Sequence, residues 1–240
     1  MRLDKFLSVT GTASRSESKR AVRAGSVTVN GIAVRSADLQ IDPEGDRVCY
    51  CGREIVYRRF TYILLNKPEG VVSATDDARE RTVLDLLPDT VRREGLFPCG
   101  RLDKNTLGVM LLTDDGELAH RLLSPKRHVS KAYFFRVKYP LADDAVARFC
   151  EGLELDGGER TLPACLEPEE DGMSGVVTLV EGKYHQIKRM MEALNNKVTY
   201  LERIRFGNLL IENSPPRGEW RYLNDAEIEG LRALAHKEII

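Results

Sequence analysis

The dipeptide Asn30-Gly31, which separates two β-prone runs, is the strongest local constraint on how this chain folds. Both positions of a two-residue hairpin loop need positive φ, which Asn and Gly adopt more readily than other residues. A hairpin is therefore predicted here. A helix is predicted just before it, because Ser14 and Glu17 have the spacing of a capping box and Gly25 is placed to end the helix in a left-handed conformation.

The first 35 residues are strongly basic, although the whole chain has a net charge of −1. They contain seven lysines and arginines and two acids, a net charge of +5, so the remaining 205 residues carry −6. A solvated helix face is the simpler interpretation of the basic stripe on the predicted helix. We favour contact with nucleic-acid phosphates, because the stripe belongs to a small positively charged module with a hairpin. The candidates for this contact are Arg15, Lys19, Arg20 and Arg23.

Length and composition are those of an ordinary globular protein. The 240 residues, 42% hydrophobic and 30% charged, suffice for one large domain or for a large and a small one. No apolar run approaches the ~20 residues that span a bilayer, and no signal peptide is recognisable. Cys49 and Cys51 lack the usual zinc spacing, so free thiols in a reducing compartment are expected. We expect a cytoplasmic monomer without membrane contact.

Strand and helix signals alternate irregularly after the basic module. Residues 49–60 are expected to finish a strand and then act as a linker. Strands are predicted over TYILLNKPEG, KAYFFRVKY, SGVVTLVEG and YLERIRFGNLLI. Helices are predicted over TVLDLLP, ELAHRLLS, YHQIKRMMEALNN and LNDAEIEGLRALAHK, the last capped by Asn224 or Asp225. Without a regular βαβ rhythm, this order favours an α+β fold with a mostly antiparallel sheet.

Asp103 lies in a polar turn between Arg101 and Lys104, immediately before the apolar run Leu107–Leu112. A carboxylate at a strand edge between two cations is expected to stay ionised. A metal site is disfavoured, because neither an oxygen-rich loop nor paired histidines accompany it. Paired catalytic carboxylates, a nucleophile elbow and nucleotide-binding motifs also lack support. A lone aspartate can still act as a nucleophile or a general acid–base, whereas many turn aspartates only accept hydrogen bonds from nearby amides.

The basic module resembles the RNA-binding fold first seen in ribosomal protein S-four. The residues that carry this resemblance are RLDKFL, SRSESKRAVRAGSVTVNG and the strand that follows. It implies binding to structured RNA and says nothing about chemistry. With its linker, the module is expected to form a domain over residues 1–59, and a second domain is expected over residues 60–240.

Four stretches of the second part resemble, in this order, motifs of the RsuA-type pseudouridine synthases. They are LLNKPEGVVS, GRLDKNTLGVMLLTDDGELAHRLLSP, KAYFFRV and EGKYHQIKRM. The resemblance implies a catalytic domain with a mostly antiparallel mixed sheet flanked by helices. It implies an isomerase that flips a uridine out of RNA, cuts its glycosidic bond, turns the uracil and joins carbon five to the ribose, without cofactor or metal. It also implies that Asp103 is the essential aspartate and that Tyr133 packs on the target base.

Four more residues are assigned to the site, because they are expected to lie near Asp103 and Tyr133. Arg101 is the candidate for gripping the distorted RNA strand. The helix predicted after His185 turns by ~100° per residue. Lys188 therefore lies at the edge of its apolar stripe, and Arg189 lies on the opposite side of the helix. Lys188 is therefore the expected partner of Asp103, and Arg189 is expected to face RNA or solvent. Gln186 either caps this helix or lines the site, and it is a candidate RNA contact together with Arg189.

Finer details of YHQIKRM and MRLDKF resemble the enzymes of this group that act on small-subunit RNA. The expected partner is therefore 16S ribosomal RNA, free or in an assembling subunit. Three alternatives stay open: action on 23S large-subunit RNA, a non-catalytic RNA-binding factor of ribosome assembly, and a general nuclease or hydrolase. A dependence on divalent metal would favour the last of these.

Overall fold

The computed structural model describes residues 1–55, 57 and 59–236 of the chain. Contacts within the chain divide it into two compact units, Met1–Phe60 and Thr61–Ile240. None of the described helices is both long enough and apolar enough to cross a bilayer.

The N-terminal unit begins with two helices, α1 (Leu3–Val9) and α2 (Arg15–Arg23). The predicted capping box is present, since the side chains of Ser14 and Glu17 each accept a hydrogen bond from the other residue's backbone N–H. Gly25 follows α2 with φ of 70°, in the left-handed region, as predicted. One face of each helix is buried in a core that it shares with the sheet, formed by Leu3, Phe6, Leu7, Ala21, Val22, Val27 and Val48.

A four-stranded antiparallel sheet completes this unit, in the order β2-β1-β3-β4. Its strands are β1 (Val27–Val29), β2 (Ile32–Ala33), β3 (Val48–Tyr50) and β4 (Arg53–Ile55). The predicted hairpin joins β1 to β2 through Asn30 and Gly31, with φ of 53° and 82°.

The prediction that residues 49–60 finish one strand and then act as a linker is wrong for β4. Cys51 and Gly52 have φ of 49° and 77° and turn the chain back, so that Val48 pairs with Ile55. A residue followed by glycine at such a turn is itself a hairpin signal. Two residues of the expected linker lie outside the described part of the chain: Val56 and Arg58.

The C-terminal unit is built on one mixed sheet in the order β13-β5-β7-β11-β8-β10-β9. The short strands β12 and β6 pair with β11 and β7. Among the described strands only β7 and β11 run parallel, so the predicted α+β class with a mostly antiparallel sheet is confirmed. The strands are β5 (Tyr62–Lys67), β6 (Phe97–Pro98), β7 (Leu107–Thr113), β8 (Lys131–Val137), β9 (Cys165–Pro168), β10 (Ser174–Leu179), β11 (Val198–Phe206), β12 (Leu209–Leu210) and β13 (Trp220–Tyr222).

Helices flank this sheet. The α-helices are α3 (Gly116–Leu123), α4 (Ala145–Glu151), α5 (Gln186–Glu192) and α6 (Asp225–His236), and 3₁₀ helices span Val83–Leu86, Pro125–Arg127 and Ile211–Asn213. Asn224, rather than Asp225, caps α6, because its Oδ1 accepts the N–H of Glu227 at 2.9 Å. Lys237, the last residue of the predicted helix, lies outside the described residues.

Gly108 sets how closely β7 and β11 approach each other. It has φ of 101°, and a Cβ atom at this position would come within 2.2 Å of the backbone oxygen of Arg203. Glycine is thus required by both the conformation and the space. Arg203 pairs with Gly108 on one side and with Tyr133 of β8 on the other. The turn before β7, which carries Asp103, consequently opens next to β11 and β8.

Candidate active site

A buried lysine holds the backbone of the turn that carries Asp103. The Nζ of Lys67, at the end of β5, donates to the carbonyl oxygens of Asp103, Lys104 and Thr106 at 3.1, 3.2 and 2.9 Å. Burial lowers the pKa of Lys67 to about 8, and the nearby charge of Asp103 opposes this shift. No local pattern singled out Lys67, because the turn residues that it contacts lie 36 to 39 positions away.

The carboxylate of Asp103 faces two side chains from the start of α5. Its Oδ2 accepts a hydrogen bond from Lys188 Nζ at 2.5 Å, and its Oδ1 lies 3.4 Å from His185 Nε2. The side chains of Asp103 and Lys188 are 27% and 30% exposed, so the pair is accessible from solvent on one side. The expected contact between Asp103 and Lys188 is therefore observed. The proximity of His185 was not predicted.

Arg189 has a side chain that is 21% exposed and pairs with an acidic residue, and its contact with RNA stays a prediction. Its Nη1 lies 2.8 Å from Glu159 Oε2, and its Nη2 donates to the backbone oxygen of Asp156 at 3.0 Å. The helix phase was correct, because Arg189 points away from Asp103. An acidic segment, 30 residues earlier in the chain, lies against that side of α5.

Gln186 is 4% exposed, so most of its side chain faces the protein interior, and its contact with RNA stays a prediction. Its Oε1 accepts the N–H of Lys183 at 2.9 Å, and its Nε2 donates to Glu181 Oε1 at 2.7 Å. The side chain therefore ties the turn before α5 to the first residue of that helix. This corresponds to the capping alternative, although Gln186 also borders the small pocket described next.

Two adjoining cavities share Asp103, Tyr133 and Arg101 in their walls. The smaller has a volume of about 80 Å³ and also contains Lys188. Its apolar wall consists of Leu102, Leu179, Ile187 and Leu201. Tyr133 is buried and Arg101 is exposed. Arg101 has neither an ion pair nor a hydrogen bond with any residue that the structure describes. The predicted residues Asp103, Tyr133, Lys188 and Arg101 are thus brought together.

The larger cavity, of about 830 Å³, has two buried cations in its wall, Lys131 and Arg203. Lys131 is 7% exposed and Arg203 is 2% exposed. Arg203 Nε donates to the backbone oxygen of Val109 at 2.6 Å, whereas its buried Nη2 has no partner within the described chain. Burial lowers the pKa of Lys131 to about 8, and the charge of Arg203 adds to this effect. Sequence reasoning did not identify these two residues.

The basic stripe of the N-terminal unit is exposed. Ser18, Ala21 and Val22 form the buried side of α2, and the four candidate cations lie on the opposite side. None of the four forms an ion pair with a residue in the described ranges. These candidates are Arg15, Lys19, Arg20 and Arg23.

The described residues contain no group of three His, Cys, Asp or Glu side chains placed to hold a metal ion.

Comparison with known proteins agrees with this geometry. The profile of the RNA pseudouridylate synthase family matches residues 61–193, and that of the S4 domain matches residues 1–48. The chain belongs to the RNA pseudouridylate synthase family and carries an N-terminal S4 domain. The family and the fold predicted from the sequence motifs are therefore confirmed.

Similar proteins extend over almost the whole chain. The uncharacterized RNA pseudouridine synthase YtzG of Bacillus subtilis is 42% identical over 231 residues, covering 95% of this chain and 97% of its own. The ribosomal small subunit pseudouridine synthase A of Vibrio cholerae is 40% identical, with 96% and 99% coverage, and that of Escherichia coli K12 is 40% identical, with 95% and 98%. A crystal structure of a pseudouridylate synthase superposes with a TM-score of 0.67 at 37% identity, covering 96% of this chain and 99% of that one.

Proposed function

We propose that this protein isomerises a specific uridine of 16S ribosomal RNA to pseudouridine, with Asp103 as the catalytic carboxylate. The observation that carries the proposal is the position of Asp103. Its carboxylate is bound by Lys188 at 2.5 Å and opens into a pocket of about 80 Å³ that is walled by Tyr133 and aliphatic side chains. The choice of small-subunit RNA rests on the two relatives named for that subunit.

The reaction needs no oxidant, reductant or cofactor. The bond between N1 and the ribose C1′ breaks, a bond between C5 and C1′ forms, C5 loses a proton and N1 gains one. An ionised carboxylate can begin this sequence in two ways, by adding to the sugar or by removing a proton from it. The Lys188 ammonium, 2.5 Å from Oδ2, holds the Asp103 carboxylate in position for either route.

Tyr133 and the apolar wall of the small pocket would hold the uracil while it is detached. A base that stacks on an aromatic ring gains roughly 1–3 kcal/mol, which opposes the few kcal/mol that flipping costs. Arg101, exposed at the edge of both cavities, would bind a phosphate of the distorted strand. This use of Arg101 accounts for a cation beside Asp103 that has no partner among the described side chains.

The two domains would divide the work. Residues 1–59 would bind structured ribosomal RNA through the exposed cations of α2, and residues 60–240 would carry out the chemistry. The RNA could be free or part of an assembling small subunit. An RNA-binding assembly factor with an idle site is the second candidate, and a metal-dependent nuclease is the third.

Mapping of pseudouridines by carbodiimide modification, in both ribosomal RNAs of a strain lacking the gene, tests the proposal. One 16S site should lose its modification, and purified wild-type protein without added divalent metal should restore it in vitro. A lost 23S site would transfer the activity to the large subunit. Unchanged maps, with no conversion in vitro, would favour the assembly factor, whereas RNA cleavage that requires metal would favour the nuclease.

A further inference from the structure

An exposed aromatic pair stands beside the candidate active site. Tyr184 is 71% exposed, and its ring stacks on that of His185 with a centroid distance of 3.9 Å and an interplanar angle of 18°. One face of the tyrosine ring is thus covered by the imidazole, while the side chain as a whole remains open to solvent. Isolated exposed aromatic residues are common on proteins, so exposure alone does not indicate a function for the pair.

The Tyr184–His185 pair is fixed in place. His185 is in the left-handed region with φ of 48°, an uncommon conformation for a residue with a side chain. Its Nε2 lies 3.4 Å from Asp103 Oδ1. The backbone oxygen of Tyr184 accepts a hydrogen bond from Arg189 Nη1 at 3.4 Å, and Arg189 is held by Glu159. A ring positioned in advance loses little entropy when it stacks on a ligand.

The position of the Tyr184 ring also favours a contact with RNA. Tyr184 lines the larger cavity together with Asp103, Arg101 and Lys183, but it is absent from the wall of the small pocket. A target base that enters the small pocket against Tyr133 would therefore leave Tyr184 uncovered. The cavity between them is about 830 Å³, so it has room for further parts of an RNA strand.

We infer that the Tyr184–His185 pair is a stacking subsite for an unpaired nucleobase of the RNA strand next to the target uridine. The inference rests on the proposed function and extends it to a second nucleotide. Stacking on aromatic rings tolerates every base, because each base has a π-face. The subsite would therefore require an unpaired neighbour more than a particular sequence. Its loss should weaken RNA binding roughly 5- to 140-fold.

Fluorescence of 2-aminopurine, which falls when the base stacks on an aromatic ring, reads the subsite directly. The probes are single-stranded heptanucleotides of uridine that carry 2-aminopurine on the 5′ or the 3′ side of the central uridine. The full-length wild-type protein should quench one of these two probes. Tyr184→Ala and Tyr184→Leu should abolish this quenching, and Tyr184→Phe should restore it relative to alanine. Tyr139→Ala, which removes a 52% exposed ring that lines neither cavity, should behave as wild type.

Absence of quenching by the wild type would overturn the inference, as would quenching that persists in Tyr184→Ala and Tyr184→Leu. Turnover provides the second readout. On small-subunit RNA, the loss in Tyr184→Ala should fall on KM rather than on kcat, because the ring binds a nucleotide that does not react. If the wild type forms no pseudouridine, the proposed function fails, while the quenching experiment still decides whether the subsite exists.

Discussion

The cations of α2 stand in solvent, whereas Lys67 and Lys188 beside Asp103 are buried or half-buried and have defined contacts. On α2, Arg15, Lys19 and Arg23 are exposed and form no ion pair within the described chain. Near Asp103, Lys67 binds three carbonyl oxygens of one turn and Lys188 binds the carboxylate itself. Lysine and arginine side chains therefore contribute to a long-range electrostatic field in the N-terminal unit, whereas in the C-terminal unit they hold local geometry.

This difference has physical consequences. An exposed cation attracts phosphate through a field that salt screens within about 10 Å at 0.1 M, so each member of a stripe is partly replaceable. A buried cation has lost its hydration and depends on a few fixed partners, so changing it alters one contact completely. Substitutions in the site should therefore change catalysis or stability abruptly, whereas those in the stripe should change affinity gradually.

The largest effect is expected from Asp103→Asn, which keeps the shape of the side chain and removes its charge. The rate of pseudouridine formation should fall at least roughly 10²- to 10⁴-fold, because an amide is a poor base and nucleophile. RNA affinity should be retained, since the cations of both units are intact. Single-turnover assays and filter binding measure the two quantities. Turnover close to wild type would refute the role of Asp103.

Lys188→Met should come next. Its pair with Asp103 is about one-third exposed, so its energy should lie between that of surface pairs and that of buried ones. We expect kcat/KM to fall roughly 10- to 100-fold, and Lys188→Arg should recover part of the loss. Arg189→Met is the matched control, because Arg189 contacts Glu159 rather than Asp103. A larger loss in Arg189→Met than in Lys188→Met would reverse the assignment of the two residues.

Lys131→Met tests the buried cations through stability. Burial lowers the pKa of Lys131 from 10.5 to about 8. Between these values the unfolded chain binds a proton that the folded chain has released, so this group makes the protein more stable as pH rises through that window. Below pH 8 the folded protein carries the full cost of the buried charge, at most about 3 kcal/mol.

Lys131→Met should therefore be more stable than wild type at pH 7, and its advantage should shrink by pH 9.5. Urea unfolding at both pH values measures the difference in stability between the variant and the wild type. The titration of cysteines and tyrosines, which is common to both proteins, cancels in this difference. Lys138→Met, which alters an exposed lysine nearby in the chain, should show no such dependence. A variant that is less stable than wild type at pH 7 would mean that the contacts of Lys131 outweigh the cost of its charge.

How much the sequence could predict depends on the distance over which a contact acts. The capping box of Ser14 and Glu17 and the turn at Asn30 and Gly31 involve neighbours, so residue types alone specify them. The pairing of Lys188 with Asp103 spans 85 residues, and it was predicted because the helix period gave its direction and the family resemblance gave its target.

Other parts of the site carried no such signal. Strand order and register bring Lys131 and Arg203 to the larger cavity and Lys67 to the turn of Asp103, and no local pattern separates these residues from surface cations. The intramolecular partners of Gln186 and Arg189 could not be predicted from the sequence either. Arg189 pairs with an acid 30 residues earlier in the chain, and a sequence pattern does not show which segment will cover a helix.

The smallest effect per residue is expected on α2, where Arg15, Lys19 and Arg23 are replaced together by glutamine. Each phosphate contact contributes about 0.7–0.9 to the slope of log affinity against log salt, so the slope should fall by about 2–3. The rate of the bound complex should be unchanged, because these residues belong to the N-terminal unit. Titration of ribosomal RNA at several salt concentrations, followed by single-turnover kinetics at saturation, separates affinity from chemistry.

A charge-matched triple variant decides whether the stripe acts through contacts or only through net charge. Its substitutions to glutamine are at exposed cations of the same unit that lie outside α2: Lys5, Arg35 and Arg53. Contacts at the stripe predict a clearly smaller change of slope in this variant than in the α2 variant. Equal changes would mean that the N-terminal unit attracts RNA through its overall field and that the four-residue spacing on α2 has no special part. A protein starting at Thr61, which contains one complete compact unit, should fold and show the residual affinity of the catalytic domain alone.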